Sequence, residues 1–276
     1  MSGALDQLAR WPVPHAAAAV VGPAGVLATA GDTSFRFHLA SVTKPLAALA
    51  ALVAVEEDAI GLDQPIAELA DQLPEATLRH LLAHASGLGP DRLSRAAATG
   101  TRRIYSNAGF DLIGELVTAA TEIPFANYLA EAVFRPLRMD TAELVGSPAK
   151  DGIGSVTDLA AVLGELLAPS GLLHPDTLTA ATTPQFAGLP GVLPGYGSQP
   201  DNAWGLGFEI RAGKQPHWTS SRNSAATYGH FGQSGTMFWV DPVARLGLVA
   251  LADQPFGDWA VQAWPTLADQ VLDNFA

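Results

Sequence analysis

Ser41 and Lys44 stand three residues apart where strand-like sequence gives way to a run of Ala and Leu. A serine hydroxyl attacks a carbonyl carbon only if a proton acceptor lies within hydrogen-bond reach, about 2.6–3.2 Å. Side chains at i and i+3 share one helical face, with Cβ atoms about 5–6 Å apart, a gap that a lysine spans. The pair therefore reads as a nucleophile with its own base. Lysine is scarce, three in 276 residues, yet the Ser-x-x-Lys spacing recurs at Ser147 and Lys150. That second pair runs straight into Asp151-Gly152-Ile153-Gly154, a glycine-rich turn that cannot continue a helix, so Ser41 is the stronger candidate.

Positioning the pair requires a strand, a turn and a helix in succession. Phe35 to Leu39 alternates like a short strand, and Leu46 to Val55 is dominated by strong helix formers. Ser41 then falls at a helix N-terminus, where free backbone N–H groups and about half a positive charge favour a developing oxyanion. Pro45 disfavours helical geometry at Lys44, so an irregular first turn is expected.

Strand signals cluster at the two ends of the chain. A hairpin is expected over Ala17 to Val21 and Val26 to Ala30, around Gly22-Pro23-Ala24-Gly25. Antiparallel strands are expected at Trp204 to Arg211, Tyr228 to Phe231, Thr236 to Val240 and Arg245 to Ala252, followed by a helix from Asp258 to Phe275. Between them, Thr77 caps a predicted helix through His84, Ala108 to Thr121 forms another, Thr157 caps a third from Asp158 to Leu167, and Pro175 to Ala181 a fourth; Phe186 to Asn202 reads as loop. The expected fold class is α/β (α+β): an antiparallel sheet flanked by helices from residues 1–57 and 202–276, a mostly helical region over residues 58–201, and the site between them.

Composition narrows the function. With 48% hydrophobic side chains the chain can bury a large core, and its net charge of −12 disfavours nucleic acid and anionic membrane as partners. The absence of cysteine excludes disulfide and thiolate chemistry. The apolar stretch from Val13 to Ala30 is broken by Pro14, Gly22 and Pro23, unlike a signal peptide, and no run approaches the roughly 20 apolar residues of a membrane span. A soluble, cytoplasmic protein is expected.

From Phe35 onward the motifs follow a recognisable order. Ser41-Val42-Thr43-Lys44, then Leu78 to Leu88 (LRHLLAHASGL), Tyr105-Ser106-Asn107, Phe134 to Met139 (FRPLRM) and His230-Phe231-Gly232 together resemble the serine β-lactamase and penicillin-binding family, in its class C and esterase-like branch. The resemblance implies an acyl-enzyme at Ser41, with Lys44 or Tyr105, singly or as a coupled pair, taking the serine proton. It implies substrate contacts from Asn107, His230 and Gly232, and an oxyanion hole from the backbone N–H groups of Ser41 and Gln233, each donor worth about 3–4 kcal/mol. No cofactor or metal is implied. Where the family usually carries a third-motif lysine, this chain has His230, which supplies neither a charge to depress Lys44 nor one to bind the carboxylate of a β-lactam. The expected activity is therefore hydrolysis of a small ester. A D-amino-acid amide or peptide, weak β-lactam turnover and a non-catalytic ligand-binding role are the alternatives.

Other features carry rival readings. His80 and His84 stand at i,i+4, a metal-binding spacing, but with no adjacent glutamate or third ligand; a structural role is expected, with His80 on the solvent side. Gly232-Gln233-Ser234-Gly235-Thr236 approaches a nucleophile elbow but lacks the last glycine and leads into a strand. Trp204, Trp218, Tyr228 and Phe231 are candidates for an acyl pocket, and Arg102, Arg103 and Arg222 are candidates to replace the absent third-motif cation, with surface solvation the expected role of each.

Overall fold

The computed structural model describes residues 3–66 and 71–276. In chain order it contains β1 (Ala16–Gly22), β2 (Gly25–Ala30), β3 (Phe37–His38), α1 (Thr43–Glu56), α2 (Leu78–Leu82), α3 (Asn107–Thr121) and α4 (Phe125–Leu129). There follow β4 (Glu143–Leu144), β5 (Gly152–Gly154), α5 (Val156–Leu167), α6 (Pro175–Ala181), β6 (Gly191–Leu193) and β7 (Gly197–Gln199). The chain closes with β8 (Glu209–Ile210), β9 (Tyr228–Gly232), β10 (Thr236–Asp241), β11 (Leu246–Ala252) and α7 (Asp258–Phe275).

Both ends of the chain build one antiparallel sheet, in the order β2-β1-β11-β10-β9-β8. β1 and β11 are apolar at nearly every position because helices cover both faces. Side chains alternate across a strand, so Ala17, Ala19 and Val21 enter one core with α5, while Ala18 and Val20 enter a second with α7. Trp239 and Trp264 fill the second core without exposure.

α1 lies at the centre of the first core and is buried from Thr43 to Leu52. A helix apolar on every side is a core helix, and each of its leucines gains about 1.5–3 kcal/mol from burial. Its N-terminal end is fixed by a small sheet in which β5 pairs with β3 and β4. Phe37 lies opposite Gly154, and the Leu39 N–H donates to the Gly152 carbonyl at 2.9 Å.

Four local expectations change. The strand expected over Trp204 to Arg211 shrinks to Glu209–Ile210, because its glycines serve packing: a Cβ on Gly205 would lie 2.0 Å from the Ala181 carbonyl oxygen, and one on Gly207 2.1 Å from the Ala48 Cβ. α5 is capped by Ser155, whose side chain accepts from the Asp158 N–H while Asp158 binds back; Thr157 instead donates to the Thr33 carbonyl at 3.0 Å. α2 stops at Leu82, leaving His84 outside it with a left-handed backbone, φ 54°. The loop from Phe186 to Asn202 contains the β6-β7 hairpin. Among the described residues no helix is long and apolar enough to cross a membrane.

Candidate active site

A 3-10 turn, Ala40–Val42, precedes α1 and carries Ser41, which accounts for the irregular start expected from Pro45. Ala40 has φ 45°, a left-handed conformation costly for a residue with a Cβ. Bonds from three segments hold it there. Thr236 Oγ1 donates to the Leu39 carbonyl at 2.8 Å, and Ser234 Oγ to the His38 carbonyl at 2.6 Å. Thr43 Oγ1 donates to the Ala40 carbonyl at 2.6 Å and accepts from the Gly152 N–H at 2.9 Å. The end of β9 comes so close that a Cβ on Gly232 would stand 2.4 Å from the Leu39 carbonyl oxygen. Ser234, the centre of the elbow-like sequence, is thus a fastener in the β9-β10 hairpin.

Lys44 projects from the first turn of α1 and is fully buried. Its Nζ donates to Asn107 Oδ1 at 2.7 Å and to the Ala149 carbonyl at 2.9 Å, and lies 3.4 Å from Ser41 Oγ. Burial drives its pKa down to about 7; Asp111 and Asp91 pull the other way, and Lys150 adds a small push downward. Desolvation thus does what a second lysine would do. The Nζ also sits 4.5 Å from the centre of the Tyr105 ring. The Tyr105 hydroxyl is buried without a hydrogen-bond partner among the described residues. Its pKa is pushed up, chiefly by burial, and Ser41 is near enough to oppose that shift.

Asn107 opens α3, capped by Ser106, whose Oγ accepts from the Gly109 N–H at 2.9 Å. With Oδ1 turned to Lys44, its Nδ2 donates to Asp91 Oδ1 at 2.8 Å.

His230 lies on β9, and its Nδ1 is 2.7 Å from the Phe231 carbonyl oxygen. A carbonyl only accepts, so Nδ1 carries the proton and Nε2 is left as an acceptor with no partner among the described residues. Burial, then Lys44, drive its pKa down to about 3, so the third motif holds no charge at neutral pH. Gln233 follows in the β9-β10 turn, and among the described residues no acceptor meets its backbone N–H. Ser41, Tyr105, Asn107, His230 and Gln233 border one cavity of about 210 Å³. Leu193 and Pro194 from the β6-β7 hairpin, with Trp204 and Phe231, form its apolar wall. Trp218 stands behind Phe231 at 5.8 Å, whereas Tyr228 packs into the core against Phe208.

The remaining candidates are placed elsewhere. Ser147 Oγ donates to Asp111 and Lys150 is exposed, although this segment lends the Ala149 carbonyl to Lys44. His80 Nδ1 meets Thr77 Oγ1 at 2.9 Å and its ring stacks on Phe186, so it is half-buried rather than solvated. His84 Nδ1 accepts from the Ser106 N–H at 3.2 Å. Arg222 is a surface group paired with Asp273 at 2.7 Å. Arg103 is a correction: it is 2% exposed, and its guanidinium donates to the carbonyls of Ala83, Gln185, Phe186 and Asn202. It is an internal brace between the helical region and the loop before Trp204.

Sequence reasoning passed over Glu209, which borders the cavity from β8. It pairs with Lys214 and accepts from His217 Nε2 and Trp218 Nε1, both at 2.9 Å. Burial alone would raise its pKa, but Lys214 and His217 hold it far below the usual range. An acid inside an apolar segment, five residues before a rare lysine, was the available signal.

The chain is similar to known proteins in sequence and fold. A crystal structure of a β-lactamase from Mycobacterium bovis is 53% identical, with a TM-score of 0.94 over 99% of both chains. Esterase EstB of Burkholderia gladioli is 26% identical over 82% of this chain and 78% of its own. A β-lactamase of Yersinia enterocolitica is 29% identical, over 38% of this chain and only 32% of its own length. The family model described as Beta-lactamase matches residues 9–273, so nearly every element described above falls inside it, and the chain belongs to the Beta-lactamase family.

Proposed function

We propose that the chain hydrolyses small, uncharged esters through an acyl-enzyme at Ser41. The observation that carries this reading is Lys44: a fully buried amine beside the Ser41 hydroxyl, with a pKa near 7, is half neutral at physiological pH. In the reaction Ser41 Oγ attacks the ester carbonyl and its proton passes to neutral Lys44. The backbone N–H groups of Ser41 and Gln233 take the oxyanion. The alkoxide leaves with a proton from Lys44 or from the Tyr105 hydroxyl, and water then releases the acid by the same route. The raised pKa of Tyr105 makes a phenolate scarce, which supports Lys44 as the acceptor and a neutral Tyr105 as a relay.

The substrate class follows from the cavity. Its apolar wall and volume of about 210 Å³ suit a short acyl group, and His230 offers no cation to a carboxylate. A small-molecule ester is thus the proposed partner. The test is labelling of the pure protein with a fluorophosphonate, peptide mapping by mass spectrometry, and hydrolysis of p-nitrophenyl acetate and butyrate. A single adduct on Ser41, and loss of turnover in Ser41→Ala, are expected. Labelling at another serine, or efficient nitrocefin turnover with no ester hydrolysis, would overturn the reading.

A further inference from the structure

His84 takes no part in the steps above, yet it is bound to the tyrosine segment through its backbone, its ring nitrogen and its ring face. Its carbonyl accepts from the Ile104 N–H at 3.0 Å, and its Nδ1 accepts from the Ser106 N–H at 3.2 Å. The two amides that flank Tyr105 therefore both end on one residue. The His84 ring also backs the Tyr105 ring, with centroids 4.7 Å apart, and meets Trp204 edge-on at 4.6 Å and 89°. The side chain is 1% exposed, and its backbone is left-handed, which turns ring and carbonyl toward the same strand of chain.

The hydrogen bonds also fix the tautomer. An Nδ1 that accepts from a backbone N–H leaves the proton on Nε2, which has no conventional acceptor among the described residues and is surrounded by aromatic rings. A protonated ring would lose the Ser106 bond. Burial, with Lys44 second, keeps it neutral.

We propose that His84 is a positioning residue for Tyr105, gripping the backbone on both sides of it and backing its ring so that the phenol hydroxyl is held at Ser41. This rests on the catalytic reading of Ser41 and Tyr105. Misplacing a reacting group by about 1 Å can cost on the order of a hundredfold in rate. A side chain that merely fills space would lower thermal stability and leave kcat per folded molecule unchanged.

The experiment is a double-mutant cycle with Tyr105→Phe, read by ester kinetics and by the rate of fluorophosphonate labelling. His84→Asn is the principal variant, because asparagine tolerates a left-handed backbone. His84→Phe keeps the ring and removes the acceptor. In the Tyr105 background, His84→Asn is expected to lower kcat about tenfold or more, with KM within about twofold, and His84→Phe to fall between. In the Tyr105→Phe background, His84→Asn is expected to cost less than about twofold. Equal losses in both backgrounds, or full kcat in His84→Asn, would overturn the proposal while leaving Ser41 in place. Failure of the unmodified protein to label at Ser41 sinks the parent reading and this one with it. If His84→Phe does not melt cooperatively, the cycle is read from His84→Asn alone.

Discussion

Lys44 and Lys214 are both buried and both have lowered pKa values, but they are held by different kinds of acceptor. Lys214 meets the carboxylate of Glu209 and two carbonyls, those of Ala203 and Ile210. Lys44 meets an amide oxygen, a carbonyl and a hydroxyl, and among the described residues no carboxylate touches it. A touching carboxylate stabilises the ammonium ion and returns part of what burial removes, whereas neutral acceptors satisfy the N–H groups without opposing deprotonation so strongly. One buried lysine thus faces a counter-charge and fastens β8, and the other, facing neutral acceptors, is the one proposed as the base. The contrast shows that the chemistry of a buried lysine is set by the charge of its acceptors as much as by burial.

The sharpest way to break this contrast is Lys44→Arg. A guanidinium stays protonated, so kcat/KM for a p-nitrophenyl ester is expected to fall by about 10³-fold, within the range for loss of a general base. Retention of even a tenth of the activity would move the base to Tyr105. Glu209→Gln strips the fastening lysine of its counter-charge, and a loss of about 3–5 kcal/mol in denaturant unfolding is expected. An unchanged midpoint would show that Lys214 is held by its carbonyls alone.

Converting the base toward the fastener sharpens the comparison. The pair Asp91→Asn and Asn107→Asp sets a carboxylate against Lys44 without a second acid beside it. In the unmodified protein Lys44 is charged below about 7, so kcat/KM is expected to fall about tenfold per pH unit below that point and to level off above it. The double variant is expected to move this limb upward by about 1–3 units, with at least a tenfold loss at pH 7. A limb that stays put means that another group controls the profile. The smallest effect is that of Lys150→Ala: its charge pushes Lys44 weakly downward, so the limb should rise by a fraction of a unit in dilute buffer and by nothing measurable in about 1 M salt. A salt-independent shift would point to a rearranged Ala149 carbonyl.

What the sequence disclosed follows from how far each interaction reaches. α7 and α6 were legible to the residue, because apolar spacing, a terminal proline and the chain's turns are local signals. The candidate residues were legible as motifs, and the structure brings Ser41, Tyr105, Asn107 and His230 around one cavity, with Lys44 buried behind it against Asn107. Trp204 to Gly207 was misread as strand because its glycines answer to α1 and α6, which are remote in sequence. Thr157 was read as the cap of α5, and only the reciprocal bond with Asp158 gives that place to Ser155. Arg103 was misplaced at the surface and Glu209 was passed over, since their partners lie on distant loops or depend on a shared interior.

The pairing of β1 with β11 has a consequence for how the molecule is made. Ala16 lies opposite Ala252, so the central ladder closes only when strands from opposite ends of the chain meet. The turn that carries Ser41 depends on the same event, because Thr236 and Ser234, which fasten Leu39 and His38, arrive with the late hairpin. Contacts this distant in sequence slow folding and keep partly made chains from completing their cores. A ribosome-bound chain that already displays Ser41 and Lys44 therefore still lacks the clasp that orients them until the β9-β10 hairpin has emerged.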